Sequence, residues 1–344
     1  MALWLVRAGK HGEHEQRFID TERIYLTWEG GLQNFSLASA KSPEQIKEIV
    51  AQAYPGLSSR RLGNYSGQIG AFAFGIKKGD MFVLPRKSTA TLAIGEIKGD
   101  YQYEKKAEEP YRHSRSVDWK NLDLPRTKVD KDLLFSLGSL LTICKISRND
   151  AENRFKQLAK SGWLSFGWKQ VSIADEAELE PENQQVDFEQ LARDEIAKLI
   201  KAKFTGHGLA RLVEGVLKAQ GYTTYRSPDG PDKGIDLLAS PGPLGFDKPR
   251  ICVQVKSGDD PVDSPILNQL IGSMQNVHAD QGLLVAWGGF KQTVTREMPV
   301  QFFRVRMWNQ AELLTQILTH YDRLDEDIRA ELPLKRIWTV AAEE

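Results

Sequence analysis

The 344-residue chain holds two cysteines, carries no net formal charge, and has no apolar run approaching a membrane span. Cys144 and Cys252 lie too far apart in sequence, and are too few, for a four-cysteine zinc site. Such sparse thiols are those of a protein in a reducing cytoplasm. The opening Met1-Ala2-Leu3-Trp4-Leu5-Val6-Arg7 is too short and too soon charged for a signal peptide, so a cytoplasmic location without a membrane partner is expected. A charge balance of zero argues against a chain that coats nucleic acid indiscriminately. No Walker-type loop occurs, so any nucleotide-driven motor would be a separate protein. Internal repeats and low-complexity tracts are lacking too.

What is present suits a globular protein of more than one core: 41% of residues are apolar, and the length favours two domains and a linker. Charge is distributed unevenly. Residues 1–125 carry 18 Lys and Arg against 15 Asp and Glu, and residues 200–310 carry 13 against 10, so each is about +3; Val171–Glu195 holds nine acids and one base. Mild surpluses of this kind are compatible with a localised DNA track.

Aromatic and β-branched content predicts strands at Ala2–Ala8 and Arg23–Trp28. Ser42 and Pro43 open a helix to about Ala53. Strands follow at Met81–Leu84 and Leu92–Ile97, suggesting a small barrel-like α+β domain to about Pro125. Helices are expected at Lys131–Ile146, Asn149–Ser161, Asp187–Phe204, His207–Ala219 and Pro265–Val277, a strand at Leu283–Trp287, and a helical tail after Trp308.

The richest stretch is Gly234-Ile235-Asp236, which leaves the turn Pro228–Lys233, followed eighteen positions later by Gln254-Val255-Lys256. Ile251–Lys256 reads as a buried strand, and the period-2 pleat puts Gln254 and Lys256 on one face. An amide and an amine on a buried strand are costly unless they face a site. With Asp236 on a neighbouring strand, a carboxylate and an amide oxygen can hold a hard divalent cation while a lysine orients water and offsets phosphate charge.

These residues resemble the catalytic domain of Mrr-type restriction endonucleases, within the PD-(D/E)xK nuclease superfamily. Gly206 to about Arg306 carries the likeness: Leu209–Val213 through Gly221-Tyr222, then Gly234-Ile235-Asp236, Gln254-Val255-Lys256, Val262-Asp263 before a helix, and Asp280–Val285. Gln in place of the middle acid is common in that family. The resemblance implies a restriction-endonuclease-like α/β/α core with a mixed sheet over 205–310 and an endonuclease using Mg²⁺, with Mn²⁺ a substitute. Asp236, Gln254 and the Val255 carbonyl would hold the metal, and Lys256 would orient the attacking water. The glutamate that the family carries early in its first helix is replaced by Leu209-Ala210; Glu214, one turn further on, is the substitute, or else an ordinary solvated glutamate.

A second resemblance covers residues 1 to about 105. Leu3-Trp4-Leu5-Val6, Gly63-Asn64-Tyr65, Lys77–Asp80 and Ala93–Ile97 occur in the order of an EVE domain of the PUA-like superfamily. It implies a small β-barrel that reads modified bases, with Trp28, Asn64, Tyr65 and Gln68 as candidate contacts; rings such as Trp28 and Tyr65 are more often barrel core than base cage. The chain thus divides into 1–125 reader, 126–204 helical and acidic linker, 205–310 nuclease and 311–344 helical tail. The reading is a modification-dependent, type IV-like DNA endonuclease that acts on double-stranded DNA as a homodimer. Its rival is a non-cleaving reader whose nuclease fold only binds DNA. His207 suits a helix N-terminal partner better than a phosphate contact. His11 and His14 lack a third ligand, and Cys252 reads as a small buried hydrophobe.

Overall fold

The structure is a computed structural model and describes residues 2–163, 187–228 and 234–338. Most of the expected turn at Pro228–Lys233 and most of the acidic stretch Val171–Glu195 lie outside the described residues. The chain separates into two compact units, Met1–Leu191 and Ala192–Glu344.

The first unit runs β1 (Leu3–Val6), α1 (Glu15–Asp20), β2 (Arg23–Tyr25), α2 (Pro43–Ala53), α3 (Ser59–Gly70), β3 (Met81–Pro85), β4 (Thr91–Ile97), β5 (Gln102–Tyr103), β6 (His113–Pro125), α4 (Lys131–Ser136), β7 (Ile143–Lys145) and α5 (Ala151–Lys160). Among the described residues its sheet has the order β2-β6-β4-β3-β1-β7, with β5 also on β6. The two ends of that path do not pair among the described residues, so the sheet curls into a half-barrel where the sequence predicts a barrel. It bends along β6, whose first residues pair with β2 and β5 and whose last pair with β4 across register shifts between Leu92 and Gly95.

Asp80 fixes the start of this sheet. It is buried and accepts from the Ala2 amide at 2.7 Å, the Trp4 indole at 3.0 Å and the Lys77 amide at 2.9 Å. Burial alone would raise its pKa, but these donors hold it below the ordinary carboxylate value.

The helix predicted over Lys131–Ile146 stops at Ser136. Ile143–Lys145 instead adds β7 antiparallel to β1, with Leu5 opposite Cys144. Part of the expected linker therefore completes the first sheet. A short apolar run flanked by Thr142 and Ile146 has no period long enough to separate helix from strand.

The second unit begins within α6 (Phe188–Lys203) and continues α7 (His207–Ala219), β8 (Thr223–Arg226), β9 (Leu237–Ser240), β10 (Ile251–Lys256), α8 (Ser264–Asn276), β11 (Gln281–Ala286), α9 (Gln292–Gln301), β12 (Val305–Trp308), α10 (Gln310–His320) and α11 (Glu326–Glu331). Its sheet has the order β12-β11-β10-β9-β8. β10 lies centrally, parallel to β11 and antiparallel to β9. Leu237, Ala239, Val253, Val255, Leu283 and Val285 pack beneath α6, α7 and α10. The alternate residues Cys252, Leu284 and Ala286 face α8. This is the layered mixed sheet that the sequence predicted. No helix among the described residues is long and apolar enough to cross a membrane.

Candidate active site

The pleat of β10 decides which side chains meet. Cys252 faces α8, Val253 and Val255 face α7, and Gln254 returns to the α8 side, where its Nε2 donates to Gln269 Oε1 at 3.2 Å. Lys256 follows on the same face. Gln254 is fully buried, yet its Oε1 has no hydrogen-bond partner among the described residues. Lys256 is half-buried, and its ammonium makes no hydrogen bond or ion pair among them. A buried orphan acceptor beside an uncommitted amine is uneconomic for a structural strand.

Asp236 sits just before β9, where its amide donates to Val253 O at 3.0 Å and its Oδ2 accepts from the Val255 amide at 2.8 Å. It thus lies against the middle of β10, eighteen residues away in sequence but adjacent in space. Cys252 senses it: burial, and then the Asp236 carboxylate, push that thiol up to about 11, so it is an inert neighbour. Gly234, at φ +81, lets the chain enter closely, since a Cβ there would meet Gln269 Nε2 at 2.6 Å and Gln254 Nε2 at 3.1 Å.

Backbone direction adds a further donor. Trp287 donates to Lys256 O at 2.8 Å, which assigns the even-numbered residues of β10 to the β11 ladder. Both the N–H and the C=O of Val255 therefore point to the opposite edge, where Asp236 lies. Asp236, the Gln254 amide oxygen and the Val255 carbonyl would offer a cation oxygen ligands only, a chemistry suited to a hard divalent ion and ill suited to zinc. No cluster of three or more His, Cys, Asp and Glu that could hold a metal occurs among the described residues.

Glu214 does not join them. Its carboxylate accepts from Thr224 Oγ1 at 3.0 Å and pairs with Lys218 at 3.2 Å and Arg226 at 3.6 Å. Thr224 lies opposite Ala239, and Arg226 opposite Leu237, on the face beneath α7. Gln254 and Lys256 use the other face. The expectation that Glu214 completes the site is corrected by the sheet, which separates them: sequence spacing put it on a helix near the strand, but only register reveals the face.

Two residues were missed from the sequence. Gln269 on α8 carried no signal, because a lone helix glutamine is ordinarily solvated. Lys201 on α6 donates to Ser257 O at 3.1 Å and pairs with Asp259 at 2.8 Å, anchoring the loop after Lys256. Asp263 caps α8 through the Ser264 amide at 2.8 Å and pairs with Lys291 at 2.8 Å; that lysine, followed by the amide and Thr293, holds its carboxyl low.

In the first unit Trp28, Asn64, Tyr65 and Gln68 do come together. The Trp28 and Tyr65 ring centroids lie 4.7 Å apart, and Tyr54 meets Tyr65 edge-on at 5.8 Å. Gln68, however, is buried, donates to Asn64 Oδ1 and accepts from the Ile143 amide at 3.1 Å, so its amide ties α3 to β7. Trp28 donates its indole N–H to Thr142 Oγ1 at 3.2 Å. Half-buried Trp28 and Tyr65 with exposed Asn64 remain as the reachable surface. At their present separation the two rings leave no slot for a third. His14 bonds to Tyr111 at 3.0 Å, a structural role.

Residues 201–317 match the family model Mrr_cat, described as restriction endonuclease, and residues 4–141 match a domain of unknown function, DUF8426. None of the curated proteins matches the chain. Several solved structures are similar, two of them as follows. The DNA modification-dependent restriction endonuclease AspBHI is 12% identical, with 81% of this chain and 76% of that one covered and a TM-score of 0.33. The MspJI restriction endonuclease in complex with a 27-mer oligonucleotide is 13% identical, with 97% and 80% covered and a TM-score of 0.31. At such scores neither likeness assigns a substrate. Residues 201–317 are a restriction endonuclease domain of the Mrr catalytic family.

Proposed function

We propose that the chain is a modification-dependent DNA endonuclease, in which the second unit hydrolyses phosphodiesters with Mg²⁺ or Mn²⁺ and the first selects a modified base. The observation that carries the reading is that Asp236 is bonded to the amide of Val255, the residue between Gln254, whose buried Oε1 is orphaned, and Lys256, whose ammonium is uncommitted. Asp236, Gln254 and the Val255 carbonyl would hold the cation. A cation bound there supplies charge neutralisation at the phosphate and an acidified water. Lys256 places its ammonium where it can orient a water and offset phosphate charge. Asp236 is itself positioned by the Val255 amide, so the acidic group is preset for its role.

The half-buried rings of Trp28 and Tyr65 support base reading in the first unit, with Asn64 as the exposed amide beside them. Stacking on an aromatic face offsets part of the few kcal/mol spent in unstacking a base. Charge supports the division of labour: a surplus of about +3 in residues 1–125 is too small for tight binding through phosphates alone. One such site cuts one strand, so double-strand cleavage implies a homodimer about a two-fold axis. Sedimentation of the DNA-bound protein as a monomer, with both strands still cut, would refute that part.

A binding relic has no physical need for an orphaned buried acceptor and a free amine together, which favours cleavage over passive reading. The deciding experiment incubates the protein with unmodified, methylated, hydroxymethylated, glucosylated and phosphorothioate duplexes in Mg²⁺ or Mn²⁺. Cleavage confined to one or more modified duplexes is expected; cleavage of none in either metal would return the chain to the non-cleaving class.

A further inference from the structure

We infer that Gln269 on α8 is a positioning residue that sets which end of the Gln254 amide faces the metal; the inference rests on the nuclease reading above. An amide, unlike a carboxylate, has two unlike ends. Only its oxygen can hold a cation, and a half-turn of the terminal torsion would present an NH₂ group instead. A glutamine at the position where many nucleases carry an acid therefore needs something that tells its ends apart. In a fully buried side chain that something must be a neighbouring polar group, because water is excluded.

Gln269 supplies it. Its Oε1 accepts from Gln254 Nε2 at 3.2 Å, and this leaves Gln254 Oε1 as the end without a partner among the described residues. The neighbouring chain reinforces the arrangement. Gly234 passes so close to both amides that a Cβ there would stand 2.6 Å from Gln269 Nε2 and 3.1 Å from Gln254 Nε2. The pair is thus confined between α8 and the segment that delivers Asp236. Gln269 is itself exposed at the surface of α8, so its replacement does not open the core.

The test measures Mn²⁺ binding to the full chain without DNA, by electron paramagnetic resonance of free Mn²⁺. Gln269→Leu removes the acceptor and is expected to weaken binding by roughly tenfold, the usual effect of losing an outer-shell partner. Gln269→Glu keeps an acceptor and should not weaken it. The discriminating step repeats Gln269→Leu in a Gln254→Glu background. A carboxylate has two equivalent oxygens and needs no orienting, so the effect of Gln269→Leu should vanish there. An equal loss in both backgrounds would overturn the inference by making Gln269 merely structural. Unchanged Mn²⁺ binding in Gln269→Leu, with a loss in Asp236→Asn, would overturn it while sparing the metal site. If Asp236→Asn also binds Mn²⁺ normally, the metal reading itself falls, and this inference with it.

Discussion

Asp236 carries two jobs that substitution can separate. On the proposed reading its charge helps hold a cation, while its Oδ2 accepts from the Val255 amide at 2.8 Å and thereby fixes the segment before β9 to β10. Asp236→Asn keeps an oxygen for the Val255 N–H and removes the charge. Asp236→Ala removes both and leaves a part-buried amide without its acceptor, at about 1–3 kcal/mol. In a unit of this size each kcal/mol lowers Tm by about 2–4 °C. Melted in EDTA, the Asn variant should therefore stay near wild type and the Ala variant should fall measurably. Both should lose cleavage by at least ~10³-fold, about 4 kcal/mol of transition-state stabilisation. Lys256→Ala should match the Asn variant in both respects, because Lys256 has no partner among the described residues to lose. The assay is single-turnover cleavage of the preferred duplex beside calorimetric melts. Wild-type cutting by Asp236→Asn would refute the site, and equal destabilisation by Asn and Ala would refute the account of the Val255 bond.

Three other outcomes are expected. Glu214→Gln should change single-turnover cleavage by no more than about twofold, ~0.5 kcal/mol, since its partners lie on the opposite sheet face; a loss as deep as that of Asp236→Asn would reinstate it. In the full chain carrying Lys256→Ala, a further Tyr65→Ala should cost about 1–3 kcal/mol of affinity for modified duplex and little for plain duplex by fluorescence anisotropy; equal losses on both would make the Trp28–Tyr65 pair core. Asp80→Ala should lower stability by about 2–4 kcal/mol at neutral pH, since three donors lose their acceptor. Because the folded Asp80 carboxyl lies below its unfolded value, its contribution is present above the unfolded value and fades as pH falls through the folded one. The gap between variant and wild-type Tm should therefore narrow as pH falls below the ordinary carboxylate range, and a gap that stays constant with pH would refute the charge's part in it.

The second unit was legible because its signals are strong and local. Ile251–Lys256 is β-branched with a polar residue at every second place late in the run, and His207–Ala219 buries an apolar stripe ending at a glycine. Strand pairing then had one arrangement that brings Asp236 to Gln254. The first unit was harder. α3 holds Gly63, Gly67 and Gly70, each costing about 1 kcal/mol in a helix, and forms because Leu62, Tyr65 and Ile69 pack on the core. β6 passed unread because its thirteen residues mix buried His113, Arg115 and Val117 with solvated Asp118 and Lys120, a pattern without clean alternation. His113 is buried with its pKa lowered to about 4, by desolvation first, and its ring bonds Tyr101 and the Leu32 carbonyl. No sequence rule distinguishes that histidine from a functional one.

The antiparallel pairing of β9 and β10, with Leu237 opposite Val253, has a consequence for how this chain can vary in length. Residues 241–250, which join the two strands, include exposed Leu244 and Phe246 and reach no group of the site. Extra residues there only enlarge a surface loop, at a cost that grows slowly with its length. A single residue gained or lost between Ile251 and Gln254 would instead turn the pleat over, sending the glutamine and lysine beneath α7 and Val255 toward the α8 face. Natural or engineered insertions should accordingly be tolerated in the connection and rejected in the strand.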